Sequence, residues 1–142
     1  QKNKVGNMAL VRAAYQGHLE VVASLLDAPG VEVNHRDAHG NTALAWAAYK
    51  GHLEVVRRIL AAPGVKLNHR DNNEDTALTH AAYKGHWEVV AALAAAPGVR
   101  VNQEDKMGNT ALTWAAVKGH REAVAALLAT PGVEVNHKDN DG

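Results

Sequence analysis

Between Ala43 and Leu60 the apolar positions recur with a helical period and are interrupted once. Ala43 to Lys50, ALAWAAYK, predicts a short helix that Gly51 ends. A second helix is predicted from His52 or Leu53. It carries Glu54 in its first turn, where the helix dipole favours an anion, and turns Leu53, Val56, Ile59 and Leu60 to one side. Pro63-Gly64 stops it. Val65, Lys66 and Leu67 then alternate apolar and polar, which predicts a short extended arm reaching Arg70. Ahead of the first helix, Asp37 with Gly40 three residues on is β-turn chemistry: the carboxylate bonds nearby amides and the glycine accepts positive φ. Thr42 stands where a helix N-cap belongs.

The same pattern recurs on both sides of this stretch. Gly-His pairs fall at Gly17-His18, Gly51-His52, Gly85-His86 and Gly119-His120, each 34 residues after the last, and Pro29, Pro63, Pro97 and Pro131 keep that period. A fixed period of this size marks a stacked architecture, in which each unit buries its apolar face against its neighbours. The units run about 3–36, 37–70, 71–104 and 105–138, with a partial fifth finger at 139–142, and residues 1–142 read as a single domain. Asn3 to Gly6, Asp105 to Gly108 and Asp139 to Gly142 are read as turns equivalent to Asp37 to Gly40. The expected fold is an all-α repeat solenoid: four stacked helix-turn-helix units of 34 residues, each with a projecting β-hairpin-like finger. A wholly helical repeat is a poor alternative. About a third of each unit is Gly, Asn, Asp, Pro and alternating residues, and helix interiors penalise each glycine by ~1 kcal/mol and each proline by ~3 kcal/mol.

The recurring string D-x-x-G-x-T-A-L-x-x-A-A-x-x-G-H-x-E-V-V, followed by V-x-V/L-N, resembles the ankyrin repeat, and the likeness covers essentially the whole chain. Three departures stand out. The family's T-P-L-H reads Thr42-Ala43-Leu44-Ala45, Thr76-Ala77-Leu78-Thr79 and Thr110-Ala111-Leu112-Thr113, so the histidine that ties helix to finger is missing, and with it the expected finger-locking bonds. Each unit is one residue longer than the family's usual length, the insertion falling in Ala-Pro-Gly-Val. The third finger has Glu74-Asp75 where the others have Gly-Asn.

The end units differ as uncovered ends should. Met8 replaces the capping threonine and Arg12 stands where Trp46 sits one unit later, while Lys2 and Lys4 keep that face polar. In the last unit Arg121 takes the place of Leu19, Leu53 or Trp87. Trp87 for Leu and Ala94 for Leu, seven residues apart, read as a large-for-small exchange that conserves core volume.

Composition narrows the function more than it defines it. There is no cysteine, so disulfides and thiolate zinc sites are excluded, and the formal charge of +0 argues against general attraction to nucleic acid or anionic membrane. No signal peptide or membrane span is visible; the sequence does not fix a location, and a soluble, cytoplasmic one is expected if the chain is natural or recombinantly expressed. The column His18, His52, His86, His120 is periodic and reads as structural bonding at the helix junction; His35, His69 and His137 form another such column. His39 and His80 are the histidines the repeat leaves unexplained. His35 and His39 have zincin-like spacing but lie on a finger without the adjacent glutamate, so no metal or other cofactor is expected.

Residues 34 apart form columns down the stack. The leucines 10, 44, 78 and 112 and the Ala-Ala pairs starting at 13, 47, 81 and 115 are constant and read as scaffold. Function would sit in the variable columns. The resemblance implies that finger tips and first helices line a concave partner-binding face. The candidate residues on it are His39, Asn73 and Met107 at the tips, Trp46, His80 and Trp114 on the first helices, Tyr49 and Tyr83 beside them, the lysines Lys50, Lys84 and Lys118, and Asp75. Glu74 stands where a glycine with positive φ is expected, a local rule broken without evident structural gain. The tryptophans have a second reading, packing between first helices.

The expected function is a non-catalytic module, monomeric when free, that binds a folded protein and neither nucleic acid nor membrane. Near-identical units, no cysteine and no phenylalanine resemble the engineered binders of this family; a natural ankyrin fragment and a partnerless scaffold are the alternatives. No phosphate loop and no nucleophile with a positioned base is present. An enzyme would have to use Asp75 and His80 together.

Overall fold

A computed structural model describes residues 2–135; the expected fifth finger at 139–142 and His137 lie outside the described residues. Eight helices follow one another: α1 (Lys4–Gln16), α2 (Leu19–Leu26), α3 (Ala43–Lys50), α4 (Leu53–Leu60), α5 (Ala77–Lys84), α6 (Trp87–Ala94), α7 (Ala111–Val117) and α8 (Arg121–Leu128). They pack as successive pairs, α1 with α2 through α7 with α8. The first helices stack on one another in the order α1, α3, α5, α7, and the second helices do likewise. The described residues contain no strand, so the connecting segments that were expected to be hairpin-like are turns. Among the described residues no helix is long and apolar enough to cross a membrane.

Local chemistry sets the helix ends. Thr42, Thr76 and Thr110 each accept a bond from the amide three residues on, at 3.2–3.3 Å, satisfying one of the orphan N–H groups of α3, α5 and α7. Stacking then depends on small residues. Ala13, Ala14, Ala47, Ala48, Ala81 and Ala82 are buried, which allows the first helices to approach closely, whereas Ala116 is exposed at the end that no described helix covers. Leu10, Leu44 and Leu78 fill the same layer, and Val22, Val56, Val90, Ile59, Leu93 and Leu127 are fully buried from the second helices. Each such side chain contributes about 1.5–3 kcal/mol by leaving water. Val55, absent from the apolar set expected on α4, is also buried.

The Gly-His pair is a joint between units. Gly51 takes φ 77° at the end of α3, and a Cβ there would lie 2.6 Å from Nδ1 of His86, because the next unit's imidazole packs over it. His86 Nε2 meanwhile bonds the Tyr49 carbonyl at 3.0 Å, one of the orphan acceptors at that helix end. His52 with Tyr15 and His120 with Tyr83 repeat the arrangement. The asparagine within each arm makes a second joint: Asn34, Asn68 and Asn102 each donate to the carbonyl of Gly64, Gly98 or Gly132 and accept the amide of Lys66, Arg100 or Glu134.

Two expectations are corrected. Asn3 to Gly6 is not a turn: Asn3 caps α1, its side chain accepting the Gly6 amide, and Val5 and Met8 lie within that helix. Asn7 Oδ1 accepts the Glu32 amide and Asn3 donates to the carbonyls of Pro29 and Gly30, so two residues make for this unit the bonds that Asn34, Asn68 and Asn102 make for the units that follow them. Nor do Trp87 and Ala94 exchange volume. Ala94 is buried, but Trp87 is 47% exposed, whereas the equivalent Leu19 and Leu53 are partly buried against the core.

Candidate functional site

The candidate residues gather around the turn aspartates. At Asp37, Oδ1 accepts the amides of His39 and Asn41 at 2.9 and 3.0 Å, while the Gly40 amide closes the turn on the Asp37 carbonyl. This leaves Oδ2 facing the first helix. Trp46, one turn into α3, donates its indole N–H to it at 2.6 Å. Trp114 does the same to Asp105 at 2.7 Å, and in the third unit His80 Nε2 meets Asp71 Oδ2 at 2.9 Å. The finger is therefore locked to its helix after all, by a residue nine positions after the aspartate in place of the missing histidine. Trp46, His80 and Trp114 are half-buried, and the two indole N–H groups and His80 Nε2 serve this lock.

The sequence held a signal for the lock that column reading missed. The donor column Arg12, Trp46, His80, Trp114 changes together with the turn column Asn3, Asp37, Asp71, Asp105; where the aspartate is absent, so is the aromatic donor. Asp37, Asp71 and Asp105 thus belong to the site although they looked like turn residues alone.

Rings and ammonium groups continue the array from unit to unit. Tyr15 meets Trp46 edge-on at 5.1 Å, Trp46 meets Tyr49 at 5.8 Å, and Tyr49 meets His80 at 5.7 Å; Tyr83 and Trp114 pair at 5.1 Å. Such edge-to-face pairs add about 0.5–1.5 kcal/mol beyond their buried area. Lys50, Lys84 and Lys118 each place their ammonium group 4.8–5.1 Å from the centre of the preceding unit's tyrosine ring, a cation–π geometry. His39 lies 6.5 Å from Trp46 and, with Tyr49, Asn73 and His80, lines a groove of about 450 Å³. Met107 is exposed and stands apart from the ring contacts.

The third finger departs from its neighbours in charge. Glu74 takes φ 63°, as its glycine counterpart Gly40 takes φ 78°. It does bring a structural gain: its carboxylate pairs with Arg70, whose guanidinium also bonds the Glu104 carbonyl of the next unit at 3.0 Å. Asp75 replaces Asn41 and Asn109. Burial pushes its carboxyl up to about 6; Asp71 and Asp105 add to the rise, and His80 opposes it. Asp71 moves the other way. Burial would raise it, but the bonds from His80 and the amides of Asp75 and Asn73 outweigh that and hold it below the usual carboxylate range. Asp71, Asp75 and His80 are the group of metal-capable side chains found together among the described residues, with ligand atoms within 4.8 Å of one another; His35 and His39 form no such group.

A family model described as ankyrin repeats (3 copies) matches residues 1–71 and 58–139. No curated protein matches the sequence.

Proposed function

The chain belongs to the ankyrin repeat family, and on that premise we propose that it grips a folded protein through the face made by its finger tips and first helices, without catalysis of its own. Ankyrin repeats are generally protein–protein interaction modules and typically non-catalytic. In this reading four stacked units, each with a projecting finger, present His39, Asn73 and Met107 at the tips. Tyr49, Tyr83 and the lysines Lys50, Lys84 and Lys118 lie behind them. The observation that carries the proposal is the ring and lysine array, which runs from Tyr15 through Trp46 and Tyr49 to His80 and resumes with Tyr83 and Trp114, a lysine over each tyrosine. Rings already held by neighbours lose little freedom on binding, and aromatic side chains dominate interface energetics. The regularity of the units and the absence of cysteine support an engineered origin as part of the same proposal.

Trp46, His80 and Trp114 serve this face by holding it in shape, so replacing them with alanine would undo the fingers and test nothing else. The better variant carries Tyr83→Ala, Met107→Ala and Lys84→Ala, since all three side chains are exposed. Trp87→Ala on a second helix is the control. Affinity capture should lose its specific partner with the triple variant and keep it with the control, both remaining folded by circular dichroism. Equal recovery by all three proteins would sink the proposal. Binding that weakened steeply with salt would instead indicate phosphate contacts to a nucleic acid.

A further inference from the structure

We propose that Asp71, Asp75 and His80 form a binding site for a divalent first-row transition metal, with zinc as the reference ion. The chain supplies its own internal controls. At the positions of Asp75 and His80, the flanking units carry Asn41 and Trp46, or Asn109 and Trp114, none of which is an ordinary metal ligand. Among the described residues, two carboxylates and an imidazole converge in the third finger alone, with all donor atoms inside 4.8 Å. One nitrogen and two oxygen donors suit zinc and its neighbours in the series.

The local geometry favours a cation over a merely polar cluster. Asp71 is buried, and its Oδ1 is fixed by the amides of Asn73 and Asp75, both at 2.9 Å, which aims Oδ2 at His80. Outer bonds of this kind orient metal ligands. The Tyr49 ring, edge-on to His80 at 5.7 Å, holds the imidazole plane. Among the described residues the Asp75 carboxylate accepts no hydrogen bond, and it faces His80 as well as the charges of Asp71 and Asp105. A second, separate observation points the same way. Asn41 lines the groove shared by Asp71 and His80, and its buried Oδ1 has no partner among the described residues. Tetrahedral bonds of about 2.0–2.1 Å place ligand atoms about 3.3 Å apart, so Asp71 and His80 need part by only a few tenths of an ångström while Asp75 swings inward. The imidazole must be neutral to bind, so the metal replaces the hydrogen bond to Asp71 and leaves a coordination position open to water.

The test uses the intact chain freed of metal by a chelator, titrated calorimetrically with Zn²⁺ near pH 7.5 and followed with Co²⁺ by visible absorption. The variant Asp75→Asn with His80→Trp restores the residues of the flanking units, so it should fold; Asp75→Asn alone is the second variant. The expected result is one equivalent of Zn²⁺ bound and an unfolding temperature that climbs with Zn²⁺ concentration, as mass action requires. Affinity should fall at least about tenfold in both variants, in line with the loss of even outer ligand support. His35→Gln with His39→Gln should bind like the parent. Equal binding by the parent and the Asp75→Asn, His80→Trp variant would overturn the proposal. So would loss of binding in the His35, His39 variant, or no one-to-one binding up to about 1 mM Zn²⁺, a free energy of only about −4 kcal/mol.

Discussion

The bond from Trp46 to Asp37 can be isolated by a double-mutant cycle. Trp46→Phe keeps a ring between Tyr15 and Tyr49, at the places where the indole now sits 5.1 and 5.8 Å away, but removes the N–H that reaches Asp37 Oδ2 at 2.6 Å. A bond to a charged acceptor contributes about 1.5–3 kcal/mol. Asp37 is half-buried, so water recovers part of the loss, and the expected cost is about 1–2 kcal/mol. Asp37→Ala removes the same bond together with the two amide bonds from His39 and Asn41, at about 2–4 kcal/mol. In the double variant the indole bond is already gone, so the cost should equal that of Asp37→Ala within error. The coupling energy is then about 1–2 kcal/mol. Equilibrium urea unfolding followed by far-ultraviolet circular dichroism measures all four proteins, provided their m-values agree. A coupling below about 0.5 kcal/mol, the scatter of independent sites, would show that the indole packs against the turn without locking it.

Two further predictions concern the joints between units. Burial holds the His86 imidazole below its ordinary value, against the opposing Tyr49 carbonyl bond, with Lys84 adding to the depression. The unfolded chain therefore binds the extra proton first, and stability should fall as pH drops below about 6.5. His86→Gln should flatten that limb, read as parent minus variant so that Asp75 cancels. Asp37 adds a second limb. Burial alone would raise its carboxyl, but Trp46 and the amides of Asn41 and His39 depress it, so its contribution is lost as pH falls below about 4; Trp46→Phe should shrink it in the same urea series. Finally, Gly51→Ala puts a Cβ 2.6 Å from His86, whereas Gly98 has φ 85° and nothing within 4 Å of its Cβ position. Gly98→Ala should therefore cost about 1 kcal/mol for the left-handed backbone, and Gly51→Ala about twice that or more by thermal unfolding; equal costs would mean that the imidazole moves aside freely.

Helix positions, turn aspartates and capping threonines were legible in the sequence because each is decided within a few residues. A hydroxyl finds the amide three places on, and a glycine takes its positive φ, whatever the neighbouring unit does. The column of His52, His86 and His120 was legible as structure for a related reason: a bond made identically in successive units leaves an identical column. The first unit was misread where the column argument was pushed past its physics. Asn3 to Gly6 aligns with the later turns, but it lacks the turn aspartate, and Asn3 caps α1 in its place.

The candidate site was only half legible, and the division follows the range of the interactions. Asp37 and Trp46 lie nine residues apart, so their covariation was written in the chain. That His86 covers Gly51 and that Lys84 sits over Tyr49 depends on how one unit is rotated onto the next. The same holds for the exposure of Trp87, which a helical pattern alone assigned to the core. By itself, then, the sequence determined the repeat, its helices and the columns that vary, because a 34-residue period leaves little else for the apolar positions to do. Only the tertiary structure decided which members of those columns lock fingers, which meet in the Asp71, Asp75 and His80 cluster, and which remain exposed. Those assignments are distances between side chains on separate segments, and stacking alone sets them.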